Sequence, residues 1–214
     1  RAMEFFHQVS LKTYIDLEKA ARAIGAWPEV RKSIMHYLET GPHPDAVFQG
    51  AKKEKTAVSP EAWPLPSTEI SFYCPKPERQ HFPDTQTLIE IAIHEKRNDD
   101  VVRWYNMFAK KPFTLPFISS FIHESVAEAV QGTHPDVSLH IWRNLAESQI
   151  RLVKPAAYQV ASRYLSNMRN LYRKIQREHE WQVYLTGLRT EHKSRRKLIQ
   201  ILDSLDGKRI VDSR

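Results

Sequence analysis

Apolar residues along this chain recur at the i, i+3, i+4, i+7 spacing of an amphipathic helix, and runs of β-branched residues are scarce. In SLKTYIDLEKAARAI the pattern puts Tyr14, Leu17, Ala20, Ala21 and Ile24 on one face, with Ser10 as N-cap and Gly25 as the stop. A second helix follows, with Pro28 in its first turn, Val30, Ile34, Tyr37 and Leu38 inward, and Gly41-Pro42 at its end. From Asp84, a good N-cap, TQTLIEIAIHEKRN places Leu88, Ile91 and Ala92 together. Asp99 or Asn98 caps DDVVRWYNMFAKK, which turns Val101, Val102, Tyr105 and Phe108 inward. Beyond Pro112 and Pro116, LPFISSFIHESVAEAVQG runs to Gly132 and HPDVSLHIWRNLAESQIRLV runs from Pro135 to Lys154. PAAYQVASRYLSNMRNLYRKIQ begins at Pro155 and presents Ala157, Ala161, Tyr164, Leu165, Met168, Leu171 and Ile175. EHEWQVYLTGLRTEHKSRRKLIQIL, Glu178 to Leu202, reads as one last long helix whose stripe is Trp181, Tyr184, Leu185, Leu188, Leu198, Ile199 and Leu202.

These helices fall into about four pairs of one kind. An Ala-containing helix leads through a short turn into a helix with an early aromatic, as in IGAWPEV, NDDVVRWY, PDVSLHIW and HEWQVYL. Hairpins of this size cannot each bury a face alone and must stack. The predicted fold is all-α: an α-solenoid of about four helical hairpins, TPR- or HEAT-like, with a closed helical bundle as the alternative. The expected organisation is a first hairpin over 1–41, a Pro-rich extended insertion over 42–83, hairpin repeats over 84–207 and a tail over 208–214. The insertion is too long for a plain connector. Its Trp63, Leu65, Ile70, Phe72, Tyr73 and Phe82 favour a partly buried strap over a linker, and STEISFY has the pattern of a short extended segment.

Composition narrows the chemistry. The single Cys74, in the Pro-flanked stretch SFYCPKPE, excludes an internal disulfide and a Cys-based zinc site. No helix N-terminus follows it to activate the thiol. No apolar run approaches the ~20 residues that span a bilayer, so no membrane partner is expected. The first residues lack the apolar core of a secretory signal, which makes the cytoplasm the simplest address, and a chain opening on Arg1 suggests an excised piece of a larger protein. The net charge is +7, most of the excess lying in the last third, which favours acidic partners without identifying them.

LIEIAIHEKRNDDVVRWYNMF, HPDVSLHIWRNLAESQI, AYQVASRYLSNMRNLYRKI and EWQVYLTGLRTEHKSRRKLIQILD together resemble the helical region of bacterial and archaeal SWIM zinc-finger proteins. DLEKAARAIGAWPEVRKSIMHYLETG fits the same region, and the Pro-rich segment matches least. The resemblance implies a TPR-like scaffold, a C-terminal fragment of such a protein. The family's Cys-x-Cys…Cys-x-His motif lies upstream of this region and is absent here. No zinc ligand carries over, the DNA- or protein-binding role of that motif stays with the missing part, and the family supplies no catalytic residue.

No catalytic set emerges from the remaining polar residues, and neither a cofactor nor a metal is expected. His134, Asp136 and His140 sit at a helix start, where capping accounts for them better than metal binding. HESVAE carries Glu128 where a zincin requires its second histidine. Glu90 and His94 have the spacing of a surface pair. Asp99/Asp100 and Glu178/Glu180 lie at helix starts, where acids complement the dipole. With 6 glycines the chain has no phosphate-cradling loop. Trp27, Trp104, Trp142 and Trp181 could stack on bases, but their places favour packing between paired helices. Gly187, within a helix, suggests close approach of a neighbour.

The strongest functional signal is basic. Arg169, Arg173 and Arg177 run at i+4 along one helix, and Arg189, Lys193, Arg196 and Lys197 along the next. If the two stripes share a face, they form a surface that can meet phosphates or carboxylates. The plainer account is a solvated face with internal pairs, such as Glu191 with Arg195. The expectation is a non-enzymatic helical-repeat scaffold that binds a protein partner. The alternative is a nucleic-acid-binding module that uses these seven cations.

Overall fold

The computed structural model describes residues 10–41, 82–110 and 116–206, with the backbone alone over 116–120. The described residues are all-α, with no strand among them. Their helices are α1 (Leu11–Ala23), α2 (Trp27–Thr40), α3 (Thr85–His94), α4 (Asn98–Phe108), α5 (Pro116–Val130), α6 (Pro135–Arg151), α7 (Pro155–Lys174), α8 (Glu178–Glu191) and α9 (Arg196–Leu205). They belong to two compact units, Arg1–Pro112 and Phe113–Arg214. The boundary falls within the stretch expected to form one array over 84–207. Of the insertion expected over 42–83, only Phe82 and Pro83 are described. Cys74, the STEISFY segment, the aromatics before Phe82 and the 208–214 tail lie outside the described residues.

The helix ends follow local chemistry. Ser10 caps α1 by accepting from the Thr13 amide at 3.3 Å, while the Thr13 hydroxyl accepts from the Ser10 amide at 3.2 Å. Asp84 caps α3 through the Thr87 amide at 3.2 Å. The cap expected of Asp99 or Asn98 is not made. Arg97 holds the N-cap position of α4, Asp99 and Asp100 lie in its first turn, and Arg97 bridges Asp100 at 2.7 Å. Acids there complement the positive end of the helix dipole without reaching the cap.

Three hairpins close with one device. After α1, α3 and α7 a residue enters the left-handed region: Gly25 (φ 72), Lys96 (φ 58) and Gln176 (φ 58). Each time, the next amide reaches back across the turn: Ala26 to the Ala21 carbonyl, Arg97 to Ala92 and Arg177 to Tyr172. This is the Schellman closure, and it satisfies carbonyls that the helix end would otherwise orphan. Counting from these residues, Val30, Val101 and Trp181 occupy one position, and Leu17, Leu88 and Met168 another; all six are buried. The three turns thus share buried positions at equal distances on either side, although the tryptophans themselves do not align. Ile24, placed inward by periodicity, is 62% exposed, because α1 ends one residue before it.

In the first unit α1 packs on α2 and α3, α2 on α3, and α3 on α4. Tyr14, Leu17, Val30, Ile34, Leu38, Leu88 and Ile91 form the buried interior. Gly41 ends α2 at φ 90, and a Cβ there would stand 2.5 Å from Phe82 Cδ2. Phe82 in turn lies edge-on to Tyr37 at 5.4 Å. Glycine at 41 is thus required both by the backbone and by the returning chain.

In the second unit α6 packs on α5 and α7, while α7 also packs on α8 and α9. Ala146, Ile150, Ala161, Leu165, Met168, Leu185 and Leu198 fill the interior. The last long helix expected over Glu178–Leu202 is in fact two. The chain turns through His192–Arg195, with the Arg195 amide donating to the His192 carbonyl at 2.9 Å. His192 is buried at the turn. Gly187 faces open space, with nothing within 4 Å of a built Cβ, so no neighbouring helix requires it.

Candidate basic interaction surface

Arg169 and Arg173 lie on α7, but the run expected along one helix stops there, because α7 ends at Lys174 and Arg177 is the N-cap residue of α8; Arg189 lies on α8, Lys193 in the turn after it, and Arg196 and Lys197 on α9. Three have acidic partners. Arg173 bridges Glu178 at 3.1 Å. Arg177 donates to Glu180 Oε1 and Oε2 at 2.5 and 2.6 Å and to Asp136 Oδ1 at 2.5 Å, joining the start of α8 to the start of α6. Those bonds and charges hold the Arg177 guanidinium far above its ordinary value, and they draw the Glu180 carboxyl down. Arg189 reaches from α8 to α9, donating to Asp203 Oδ1 at 3.1 Å, Asp206 Oδ2 at 3.3 Å and the Leu202 carbonyl at 3.3 Å. All three thus have acidic partners, Arg173 in an exposed pair and Arg177 and Arg189 half-buried.

The other four have no hydrogen-bond or ion-pair partner among the described residues. Arg169 is half-buried on α7, and Lys193, Arg196 and Lys197 are exposed at the turn and in the first turn of α9. Arg177 and Arg196 lie near opposite ends of α6. Arg177 is tied to Asp136 at the start of α6, whereas Arg195, next to Arg196, donates to the Ile150 carbonyl at its end, 3.1 Å away. About 21 Å of helix axis separates Asp136 from Ile150. The expected partnership of Glu191 with Arg195 is replaced by this bond, and Glu191 lies 3.7 Å from His192.

The four tryptophans weighed for base stacking are buried: Trp27, Trp104, Trp142 and Trp181. Trp27 takes the edge of Tyr14 at 5.4 Å, and Trp181 packs between Tyr172 and Tyr184. The indole nitrogens of Trp142 and Trp181 and Nε of Arg143 are buried without a hydrogen-bond partner. Arg143 lies over the Tyr184 ring at 4.6 Å.

Other polar groups serve structure. In the first unit the Glu95 carboxylate accepts from Tyr14 Oη at 2.7 Å and from Arg31 Nε and Nη2 at 2.7 and 2.6 Å. Burial pushes Glu95 up, but the bonds from Arg31 and Tyr14, with the charges of Arg31 and Arg97, outweigh it and set the carboxyl below its ordinary value. His94 contacts Glu18 on α1 at 3.1 Å rather than Glu90, and Glu90 accepts from Gln86 at 3.3 Å. Burial raises the Glu90 carboxyl. In the second unit Glu124 accepts from Tyr164 and Arg163, joining α5 to α7. Burial lowers the neighbouring His123. His134 is the N-cap residue of α6, and its carbonyl accepts from the Val137 amide at 3.1 Å. No group of three or more His, Cys, Asp or Glu among the described residues is placed to hold a metal ion. No helix among them is long and apolar enough to cross a membrane.

No family model matches the chain, and no curated protein or solved structure does.

Proposed function

We propose that the chain is a non-enzymatic helical-repeat scaffold that binds a macromolecular partner, a protein first of all. In this reading it is an α-solenoid of TPR-like hairpins, the helical part of a longer SWIM zinc-finger protein acting in the cytoplasm. The observation that carries the proposal is the alternation of packing within each unit. A leading helix meets both its hairpin mate and the next leading helix: α1 on α2 and α3, and α7 on α8 and α9. Stacked helical repeats pack in this way, and they present extended faces to partners. The recurrent left-handed closure at Gly25, Lys96 and Gln176 supports the same reading. So does the use of polar groups such as Glu95 and Glu124 as ties between helices.

A nucleic-acid-binding module remains the second reading, favoured by the exposed and unpartnered Lys193, Arg196 and Lys197. Against it stand the internal pairing of Arg173, Arg177 and Arg189 and the burial of the four tryptophans. Fluorescence anisotropy with duplex and single-stranded probes over a salt series separates the two. Phosphate-driven binding falls linearly in log–log form. The scaffold reading predicts no nucleic-acid binding beyond the weak, fully salt-sensitive kind. Tight binding with a steep slope would favour the second reading, and steady hydrolase or transferase turnover would refute the non-enzymatic one.

A further inference from the structure

The turn from α6 to α7 and the start of α9 meet at one corner of the second unit. The bond from Arg195 Nη1 to the Ile150 carbonyl brings Arg151-Leu152-Val153-Lys154 beside Lys193 and Arg195-Arg196-Lys197. Leu152 is 55% exposed and Val153 57% exposed. Val153 holds φ 53, a conformation that β-branched residues rarely adopt. The acids at this corner are few and already accompanied: Glu147 lies 3.9 Å from Arg151 and Glu191 3.7 Å from His192. Lys154, Lys193, Arg196 and Lys197 have no partner among the described residues. Arg196 and Lys197 also stand in the first turn of α9, where the helix dipole disfavours cations. The corner thus keeps two aliphatic side chains in water, surrounded by charge that the fold does not use.

The geometry points to this corner as the docking surface for an acidic segment of a partner protein, one in which carboxylates flank aliphatic side chains. The inference rests on the scaffold reading and names the chemistry of its partner. Charge complementarity selects the acidic character and orients the encounter. The aliphatic pair selects the rest. A phosphate backbone would satisfy the cations but leave Leu152 and Val153 in water, and among the described residues no exposed aromatic stands beside them to stack on a base. An anionic bilayer would meet the same cations, but among the described residues the corner has no exposed Trp or Tyr of the kind that anchors a protein at that interface. An acidic peptide with leucines occupies both features at once.

The test uses the full chain and short fluorescein-labelled peptides in which two adjacent leucines are moved through a Glu/Asp background. An all-Glu peptide and a leucine pair in a Ser background serve as references. Members of the acidic–leucine series should bind at least about tenfold more tightly than either reference, since both attractions are then realised. Leu152→Ser with Val153→Ser, and separately Lys193→Glu with Arg196→Glu, should each weaken binding by about tenfold or more. Arg169→Glu, remote on α7, should change it by less than about twofold. All the residues exchanged at the corner are exposed, and unchanged helical circular dichroism would show that the variants fold. Failure of the wild-type chain to bind any of the peptides would overturn the inference, as would an equal loss in Arg169→Glu. Tighter binding to duplex DNA or phosphatidylserine vesicles would do so too. If the Lys193→Glu/Arg196→Glu chain still retained a protein partner from a cell extract, this surface would be wrong while the scaffold reading stood.

Discussion

Glu95 is the polar centre of the first unit, and Glu95→Gln tests whether that centre holds the hairpins together. The carboxylate accepts three charge-assisted or phenolic hydrogen bonds, all between 2.6 and 2.7 Å, from α1 and α2. Hydrogen bonds to charged groups contribute about 1.5–3 kcal/mol each, so three taken separately would amount to several kcal/mol. The side chains of Glu95 and Arg31 are 15% and 26% exposed, so water recovers part of that. Gln also keeps one acceptor for Tyr14 or Arg31. A loss of about 2–3 kcal/mol is expected, most of it from leaving the Arg31 guanidinium half-buried without its counter-charge. Urea titration followed by hydrogen exchange in peptides from α1, α2 and α3 isolates the first unit from the second. A cycle with Arg31→Met should give a coupling of about 1.5 kcal/mol or more. The pH dependence has a fixed sign. The folded carboxyl titrates below its unfolded value, so its contribution is complete above the ordinary carboxylate range and is lost as pH falls through the lowered folded value. Glu95→Gln should therefore flatten the acid limb of the stability curve. A loss below about 0.5 kcal/mol, or additive effects of the two substitutions, would refute the reasoning.

Three other substitutions follow from the backbone. Gly187→Ala should stabilise the second unit by about 0.5–1 kcal/mol in urea denaturation, because the new methyl meets nothing and helix propensity improves; destabilisation would mean that something does approach that face. Gly41→Ala should cost more than about 2 kcal/mol, combining a left-handed backbone with a methyl driven against Phe82, and hydrogen exchange in α2 would report it. Val153→Gly should raise the thermal midpoint, with a gain of about 0.5–1 kcal/mol from relief of the left-handed strain, while removing one of the two exposed aliphatic side chains at the α6–α7 corner.

Much of the helical pattern is legible in the sequence because the core-facing residues are aliphatic and aromatic at helical spacing. Val30, Ile34, Tyr37 and Leu38 are all buried, as are Tyr164, Leu165 and Met168. Ser10, Gly25, Asp84 and Pro155 also carry explicit boundary chemistry. The break between α8 and α9 carries none. His192-Lys193-Ser194-Arg195 contains neither Gly nor Pro, and the leucines on either side preserve the stripe across it. The left-handed residues Lys96, Val153 and Gln176 are equally silent, because their conformation is imposed by the packing of the hairpins rather than by residue type. Of the basic surface, the sequence shows the cations but not their partners. Asp136, Asp203 and Asp206 lie far along the chain from the arginines they neutralise. Leu152 and Val153 fall at a helix end, where periodicity says nothing about exposure.

We propose a scaffold for a protein partner rather than a phosphate-binding module. The most direct test is retention on the immobilised full chain from a nuclease-treated extract, followed through a salt series. The account predicts a protein retained after nuclease treatment, with a shallower salt dependence than phosphate contacts would give. Loss of all retention on nuclease treatment, with recovery only of nucleic acid on a steep log–log salt slope, would contradict it.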